Sequence, residues 1–400
     1  MTPLGQVGQV AAGPERRSGS NLLEQLRLLW PEPARVSLTT RRHASKEARL
    51  SFVPLPAAGT PRMLVPAGPP RVTASAIRGS RVARDRRARW ATSALSGAAR
   101  MGLLRWHPHR IQVEGDDSSW ASALLPRLRE AVGTQVVPSF YVGPVRAVQK
   151  PVLQLLDPTG RTVAFAKVGV NDLTNALVAS EARALDVVGG HAWSTLRTPR
   201  LLMHERWHDH EVIVQSALPS DGPATAELVS RALGELAATG DRRAVPLGST
   251  SWWADIVGRV TAFPDGAAPE ALRQTIASVD AAAGSVSVFL GPAHLDWAPW
   301  NMSRVGDALA VWDWEQFCTA VPVGYDAIHF ALQQAVVLRQ QHPVAAVAAV
   351  RREAPQLMAS LGLHASRGDL LVLLYLLELA SRYLRDGESG TRLSRLHTWV

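Results

Sequence analysis

The sequence predicts an α+β protein of two lobes. A five-stranded antiparallel sheet with one helix comes first and a mostly helical lobe second, with a small basic α+β extension ahead of both. Three observations carry this expectation. Five short runs rich in Val, Leu, Phe and Tyr, separated by Pro and Gly turns, lie between 134 and 218. Beyond Ser220 most apolar residues recur at helical spacing. The charge is divided as well: residues 1–150 hold 23 Lys+Arg against 9 Asp+Glu, whereas 151–400 hold 20 against 25.

The bulk composition suits a folded chain, with 46% apolar and 19% charged residues over 400 positions. One cysteine, Cys318, excludes an internal disulfide and fits a reducing cytosol, so a cytoplasmic location is expected. The first residues, MTPLGQVGQVAAGPERR, lack the basic start and apolar run of a signal peptide. The stretch LLVLLYLLELA at 370–380 is too short to span a bilayer and is expected as a buried helix.

In chain order, residues 1–20 are Gly-rich and polar and are expected to be disordered. Residues 21–133 form the basic extension. NLLEQLRLLW has helical spacing, ARLSFVPLP and PRMLVP are strand-like, and the Arg-rich segment from 78 leads into a helix through ATSALSGAARMGLLRW. SSWASALLPRLREAVG is a further helix, interrupted or kinked at Pro126. The sheet lobe spans 134–218, with strands in TQVVPSFYVG, KPVLQLLD, RTVAFAKVGV, TPRLLM and HEVIVQSALP, and a helix in LTNALVASEARALDVV after the third. The helical lobe occupies 219–400, broken by SVSVFLG before HLDWAPWN and by ALAVWDWE.

Chemistry concentrates in HLDWAPWN (294–301) and VWDWE (311–315). Asp296, Asn301 and Asp313 supply hard oxygen atoms of the kind Mg²⁺ accepts beside phosphate oxygens and water. Asp296 and Asn301 share one loop after a strand, and Asp313 follows a strand that can pair beside it in a hairpin. The run H-L-D-W-A-P-W-N has the spacing of the protein-kinase catalytic loop H-R-D-x-x-x-x-N, with a second Asp following. In its wording, D-W-A-P-W-N followed by V-W-D-W-E, it resembles the aminoglycoside phosphotransferase and choline kinase branch of the protein-kinase-like superfamily.

The resemblance covers 140–330, about two thirds of the chain, and implies a bilobal protein-kinase-like fold using Mg²⁺ and ATP, with GTP as the alternative nucleotide. Lys167, one of only three lysines, lies in the third strand VAFAKVG, and Glu181 follows fourteen residues later on the helix. By the resemblance Lys167, held by Glu181, contacts the nucleotide phosphates, Gly143 belongs to the phosphate loop GPVRAVQ, and Gln215 and Ala217 lie at the inter-lobe hinge. Asp296 is the proton acceptor for the attacking hydroxyl, His294 braces the loop, and Asn301 and Asp313 hold the metal. Two departures stand out: Leu295 takes a position where this family usually has Gly, and the phosphate loop has a single glycine.

Asp326 follows Asp313 by only thirteen positions, too few for a protein kinase's activation segment, so a small-molecule hydroxyl acceptor is expected: an aminoglycoside, an amino alcohol or a sugar-like compound. Residues 201–300 carry 12 acidic against 6 basic residues, which favours a cationic acceptor. Two other functions stay open, a nucleotide-binding scaffold acting through its basic extension and a kinase of peptide side chains. The arginines of 78–90 are weighed as a solvated helix face ahead of a surface for nucleic acid, lipid or an acidic protein. HERWHDH (204–210) is expected as a hairpin tip ahead of a metal site, and at least two of Trp297, Trp300, Trp312 and Trp314 as packing residues.

Overall fold

The computed structural model describes residues 23–386 apart from 46, 57–60, 80–85, 142–147, 241–242 and 365–366. The described residues up to Val170, Val148 aside, form one compact unit, and those from Asn171 a second.

In the first unit, helix α1 (23–29) precedes strands β1 (Arg35–Thr40), β2 (Leu50–Leu55) and β3 (Met63–Pro66). Helices α2 (Pro70–Gly79) and α3 (Arg86–Arg100) follow, then β4 (His109–Glu114), α4 (Asp117–Ser122), α5 (Leu124–Val132), β5 (Val137–Tyr141), β6 (Val152–Leu156) and β7 (Thr162–Val168). The seven strands make one antiparallel run in the order β1-β4-β2-β3-β5-β6-β7. This corrects the expected five-stranded sheet, because β5–β7 continue strands from the extension. Met63 and Leu64 of β3 pair with Tyr141 and Phe140 of β5, which covers a strand edge that would otherwise present unpaired N–H and C=O groups.

α2 buries Val72, Ala76 and Ile77 against Val53, Leu55 and Val65, the alternate residues of β2 and β3. Trp30, Phe52 and Phe140 form a separate cluster with ring centroids 5.3–6.3 Å apart. The helix expected over 118–133 is two helices. α4 is capped by Asp116, whose carboxylate accepts from Ser119 N–H, and the chain breaks at extended Ala123. Pro126 then sits in the first turn of α5, where no helical N–H is needed.

The second unit begins with α6 (Asp172–Gly189), whose N-terminus is closed by a reciprocal cap between Asn171 and Thr174. β8 (Leu196–Arg197) and the hairpin β9 (Leu201–Trp207)/β10 (His210–Ser216) come next. α7 (Ala226–Ala238), β11 (Ala244–Pro246), α8 (Ser251–Thr261) and α9 (Ala267–Ala283) lead to β12 (Ser287–Ala293). β13 (Met302–Val305), β14 (Ala308–Val311) and β15 (Cys318–Pro322) are followed by α10 (Tyr325–Gln333), α11 (Pro343–Ser360) and α12 (Gly368–Arg385). Two small sheets have the orders β11-β12-β15 and β13-β14-β8.

α8–α12 share one apolar core with Leu295 and Val321. A second core joins α6 and α7 to Trp297 and Trp314. Both indoles are fully buried, so these two tryptophans pack the lobe as expected. The HERWHDH segment forms the tip of the β9/β10 hairpin, where His204 Nε2 lies 3.0 Å from Glu211. Among the described residues no helix is long and apolar enough to cross a membrane.

Candidate active site

The loop 294–301 leaves β12 and returns through a single 3-10 turn at Pro299–Asn301 into β13. β13 pairs with β14 from Met302↔Val311 onward, so Asp313 emerges beside Asn301. Two hydrogen bonds tie the segments: Trp312 N–H donates to Asn301 C=O at 3.0 Å, and His294 Nε2 lies 3.1 Å from Trp312 C=O. The other ring nitrogen, Nδ1, accepts from Asp296 N–H at 3.2 Å. The proton of His294 therefore resides on Nε2. Burial holds the imidazole below its ordinary pKa, although Asp326, Asp296 and Asp313 all favour the cation. His294 thus joins the Asp296 loop to the Asp313 strand end as a neutral brace.

Asp296 is held at both oxygens. Asn301 Nδ2 donates to Oδ2 at 2.8 Å and to the Asp296 C=O at 3.0 Å, and His329 Nε2 lies 3.1 Å from Oδ1. With both amide hydrogens turned to Asp296, Asn301 Oδ1 is the atom left to face a cation. Behind His329, Tyr375 OH is 3.2 Å from Nδ1. Burial raises the Tyr375 pKa well above its ordinary value, so the phenol keeps its proton and donates to Nδ1. Nε2 of His329 is then the protonated nitrogen, and it donates to Asp296.

The backbone of this loop is anchored from the helical core. Asp326, buried on α10, accepts from His294 N–H at 2.7 Å and from Leu295 N–H at 2.9 Å. Burial pushes its carboxyl above the ordinary range in spite of these donors and of His294. Arg382 Nη2 of α12 donates to Leu295 C=O at 3.2 Å. Leu295 sits at φ 62°, the left-handed region where glycine is at ease and a branched side chain costs about 1–3 kcal/mol. Its peptide groups are gripped on both sides, and its side chain is buried in the core, which offsets the strain. Arg382 and Arg259 both approach Glu378, at 3.6 Å each, and Tyr325 OH donates to the same carboxylate. Burial is the largest single influence and works against the Arg382 cation, but Glu378, Tyr325, Tyr383 and Asp296 together outweigh it and raise its pKa.

Asp313 is also left-handed, at φ 73° and ψ 53°, a conformation Asp tolerates. It turns the chain so that Glu315 follows on the same side. Carboxylate oxygens of Glu181, Asp313 and Glu315 lie within 4.8 Å of one another. α6 packs on the turn at Trp314–Gln316, which brings Glu181 there. Gln215, buried at the end of β10, points Nε2 at Glu181 Oε1 at 3.4 Å. The donor set is entirely hard oxygen, and three carboxylates this close repel one another unless a cation or protons intervene, so the residues fit Mg²⁺.

Of the residues expected from the sequence, the second unit brings together His294, Asp296 and Asn301, and also Glu181, Asp313 and Gln215, with the His294–Trp312 bond joining the two groups. Ala217 follows β10 beside Gln215. Lys167 belongs to the first unit, buried near the end of β7. Gly143 lies outside the described residues. Asp326 served in the sequence only to mark the short segment after Asp313, and Glu315, His329, Tyr375 and Arg382 were not singled out. The only signal for any of them is helical: Asp326 and His329 are three apart and so share one face of α10. A separate cleft of about 560 Å³, lined in part by Trp193, Leu236, Leu290 and Phe317, carries none of these carboxylates.

No family model and no curated protein matches the chain. It is similar to solved structures of aminoglycoside phosphotransferase APH(4)-Ia, with 15% identity, 70% of this chain and 96% of that chain covered, and a TM-score of 0.46. A fructosamine-3-kinase structure from Haemophilus somnus matches with 12% identity, 70% and 96% coverage and a TM-score of 0.40. Amicoumacin kinase hAmiN matches with 11% identity, 71% and 95% coverage and a TM-score of 0.42. By name these proteins are a phosphotransferase and two kinases. One APH(4)-Ia structure is a ternary complex with ADP and hygromycin B, and the amicoumacin kinase holds AMP-PNP and Ca²⁺.

Proposed function

We propose that this chain is a phosphotransferase that moves the γ-phosphate of ATP to a hydroxyl group of a small molecule. The observation that carries the reading is the Asp296 carboxylate. It is fixed at Oδ2 by Asn301 and at Oδ1 by His329, on a loop that His294 ties to the strand end bearing Asp313. A carboxylate held in this way can orient the acceptor hydroxyl and take its proton as the O–P bond forms. Asn301 and Asp313, with Glu315 and Glu181 close to Asp313, would hold Mg²⁺, which when bound neutralises charge on the β- and γ-phosphates. Lys167 is assigned by the resemblance to the nucleotide phosphates, and the backbone at Gln215 and Ala217 to the adenine edge.

The acceptor is expected to be an aminoglycoside, an amino alcohol or a sugar-like compound. The acidic balance of residues 201–300 favours the cationic members. The test is thermal unfolding with Mg-ATP and Mg-GTP, followed by acceptor-dependent ADP release, on wild type, Asp296→Ala and Asp313→Ala. Saturation at a hundred times the dissociation constant stabilises by about 2.7 kcal/mol, a readable shift. Asp313→Ala should abolish the Mg-dependent part. Asp296→Ala should keep it and lose turnover by orders of magnitude. Nucleotide binding without acceptor-dependent ADP release would leave a binding module and overturn the enzyme reading.

A further inference from the structure

α3 carries an exposed apolar stripe that no described element of the first unit covers. Trp90, Ala94, Gly97 and Met101 follow one another at four, three and four residues, which places them within about 60° of arc along about 16 Å. Met101 still belongs to the helical ladder, since its N–H donates to Gly97 C=O at 3.1 Å. Trp90 is 78% exposed and Met101 71%, and just beyond them Leu103 is 50% and Trp106 57% exposed. The opposite face of α3, with Ser96 and Ala99, is the one buried against α2. Four large apolar side chains left in solvent on one short segment are not the isolated exposed residues that any surface carries.

The chain that carries the stripe is basic. From Arg86 to Val113 the chain has six arginines and no acidic residue. The Trp106 ring lies 4.2 Å from the Arg41 guanidinium and 5.2 Å from that of Arg105. Self-association through this face would set arginines against arginines with no carboxylate between them, so a second copy is disfavoured. Single-stranded nucleic acid needs successive free aromatic faces for base stacking; of the four exposed side chains Trp90 alone offers one, because the Trp106 face is occupied by guanidinium groups and Met101 and Leu103 offer nothing to a base. Aliphatic side chains flanked by tryptophan and arginine match the boundary between acyl chains and anionic headgroups. We propose that α3 and the following turn through Trp106 dock the protein on an anionic phospholipid bilayer.

The experiment is co-sedimentation of the full chain with phosphatidylcholine vesicles, with and without a third of phosphatidylglycerol. It compares wild type with Trp90→Ser/Met101→Ser and with Arg100→Glu/Arg105→Glu, each checked for an unchanged circular dichroism spectrum. Wild type should bind the anionic vesicles and lose binding on neutral ones and on raising salt from about 0.15 M to about 1 M. The arginine variant should weaken binding at least fivefold per position, the share of one basic residue near a charged surface. The serine variant should weaken it about tenfold without changing the salt dependence. Equal binding to neutral vesicles, no binding to either, displacement of the vesicles by an RNA oligonucleotide, or concentration-dependent dimers that Trp90→Ser/Met101→Ser abolishes would each overturn the proposal. None of these outcomes depends on phosphotransferase activity.

Discussion

Replacing Asp326 by Asn tests whether the loop carrying Asp296 is held from the helical core. The carboxylate accepts two backbone N–H groups, at 2.7 and 2.9 Å, and both donors are buried with it. An amide of the same shape has one acceptor oxygen, so one of the two N–H groups must face an NH₂ group instead. Losing a hydrogen bond to a charged acceptor costs about 1.5–3 kcal/mol, and the donor left unpaired adds to it. Removing a carboxylate whose ionised form is penalised by burial returns part of this. The expected net loss is about 2 kcal/mol, read from urea unfolding at neutral pH.

The consequence for activity is larger than the stability figure suggests. Repulsion at the His294 or the Leu295 N–H shifts the loop next to Asp296, and a displacement of about 1 Å in a positioned group can cost roughly a hundredfold in rate. Nucleotide-induced stabilisation should survive while acceptor-dependent ADP release falls by about that factor. If Asp326→Asn unfolds within about 0.5 kcal/mol of wild type, the range of an ordinary surface substitution, and turns over normally, the anchoring argument is wrong.

His329→Leu should lower turnover by one to two orders of magnitude with little change in nucleotide affinity. His329→Gln, which can present an N–H near the position of Nε2, should recover part of the loss; equal activity in all three proteins would remove His329 from the site. Glu378→Leu strands Arg259 and Arg382 in the interior and should cost about 3–5 kcal/mol in urea unfolding. A loss below 1 kcal/mol would show that the two arginines find other partners.

His294 makes stability pH-dependent: its folded pKa is lowered from 6.5, so its contribution is complete above 6.5 and is lost as pH falls below it. Asp326, raised from 3.8, has the opposite sign and contributes most at the acidic end. Wild type should therefore lose more stability between pH 7.5 and pH 5.5 than His294→Gln does, both read as melting temperatures, and parallel curves would refute the assignment.

Local patterns in the sequence determined much of this protein. Strand runs bounded by Pro and Gly, and a helix beginning at a reciprocal Asn171–Thr174 cap, are properties of a few neighbouring residues. The spacing of Asp296, Asn301 and Asp313 was legible for the same reason, because a loop and one tight hairpin join them. Tertiary structure decided what neighbours cannot encode. The strands of the extension joined the sheet because β5 would otherwise have left an open edge, and edge pairing has no periodic signature. Glu181 meets Asp313 and Glu315 only because α6 packs on the turn after β14. The anchors of the Asp296 loop come from 31 to 87 residues away. Asp326, His329 and Arg382 lie on helices whose apolar periodicity records burial and is silent about which backbone group a buried polar side chain will reach.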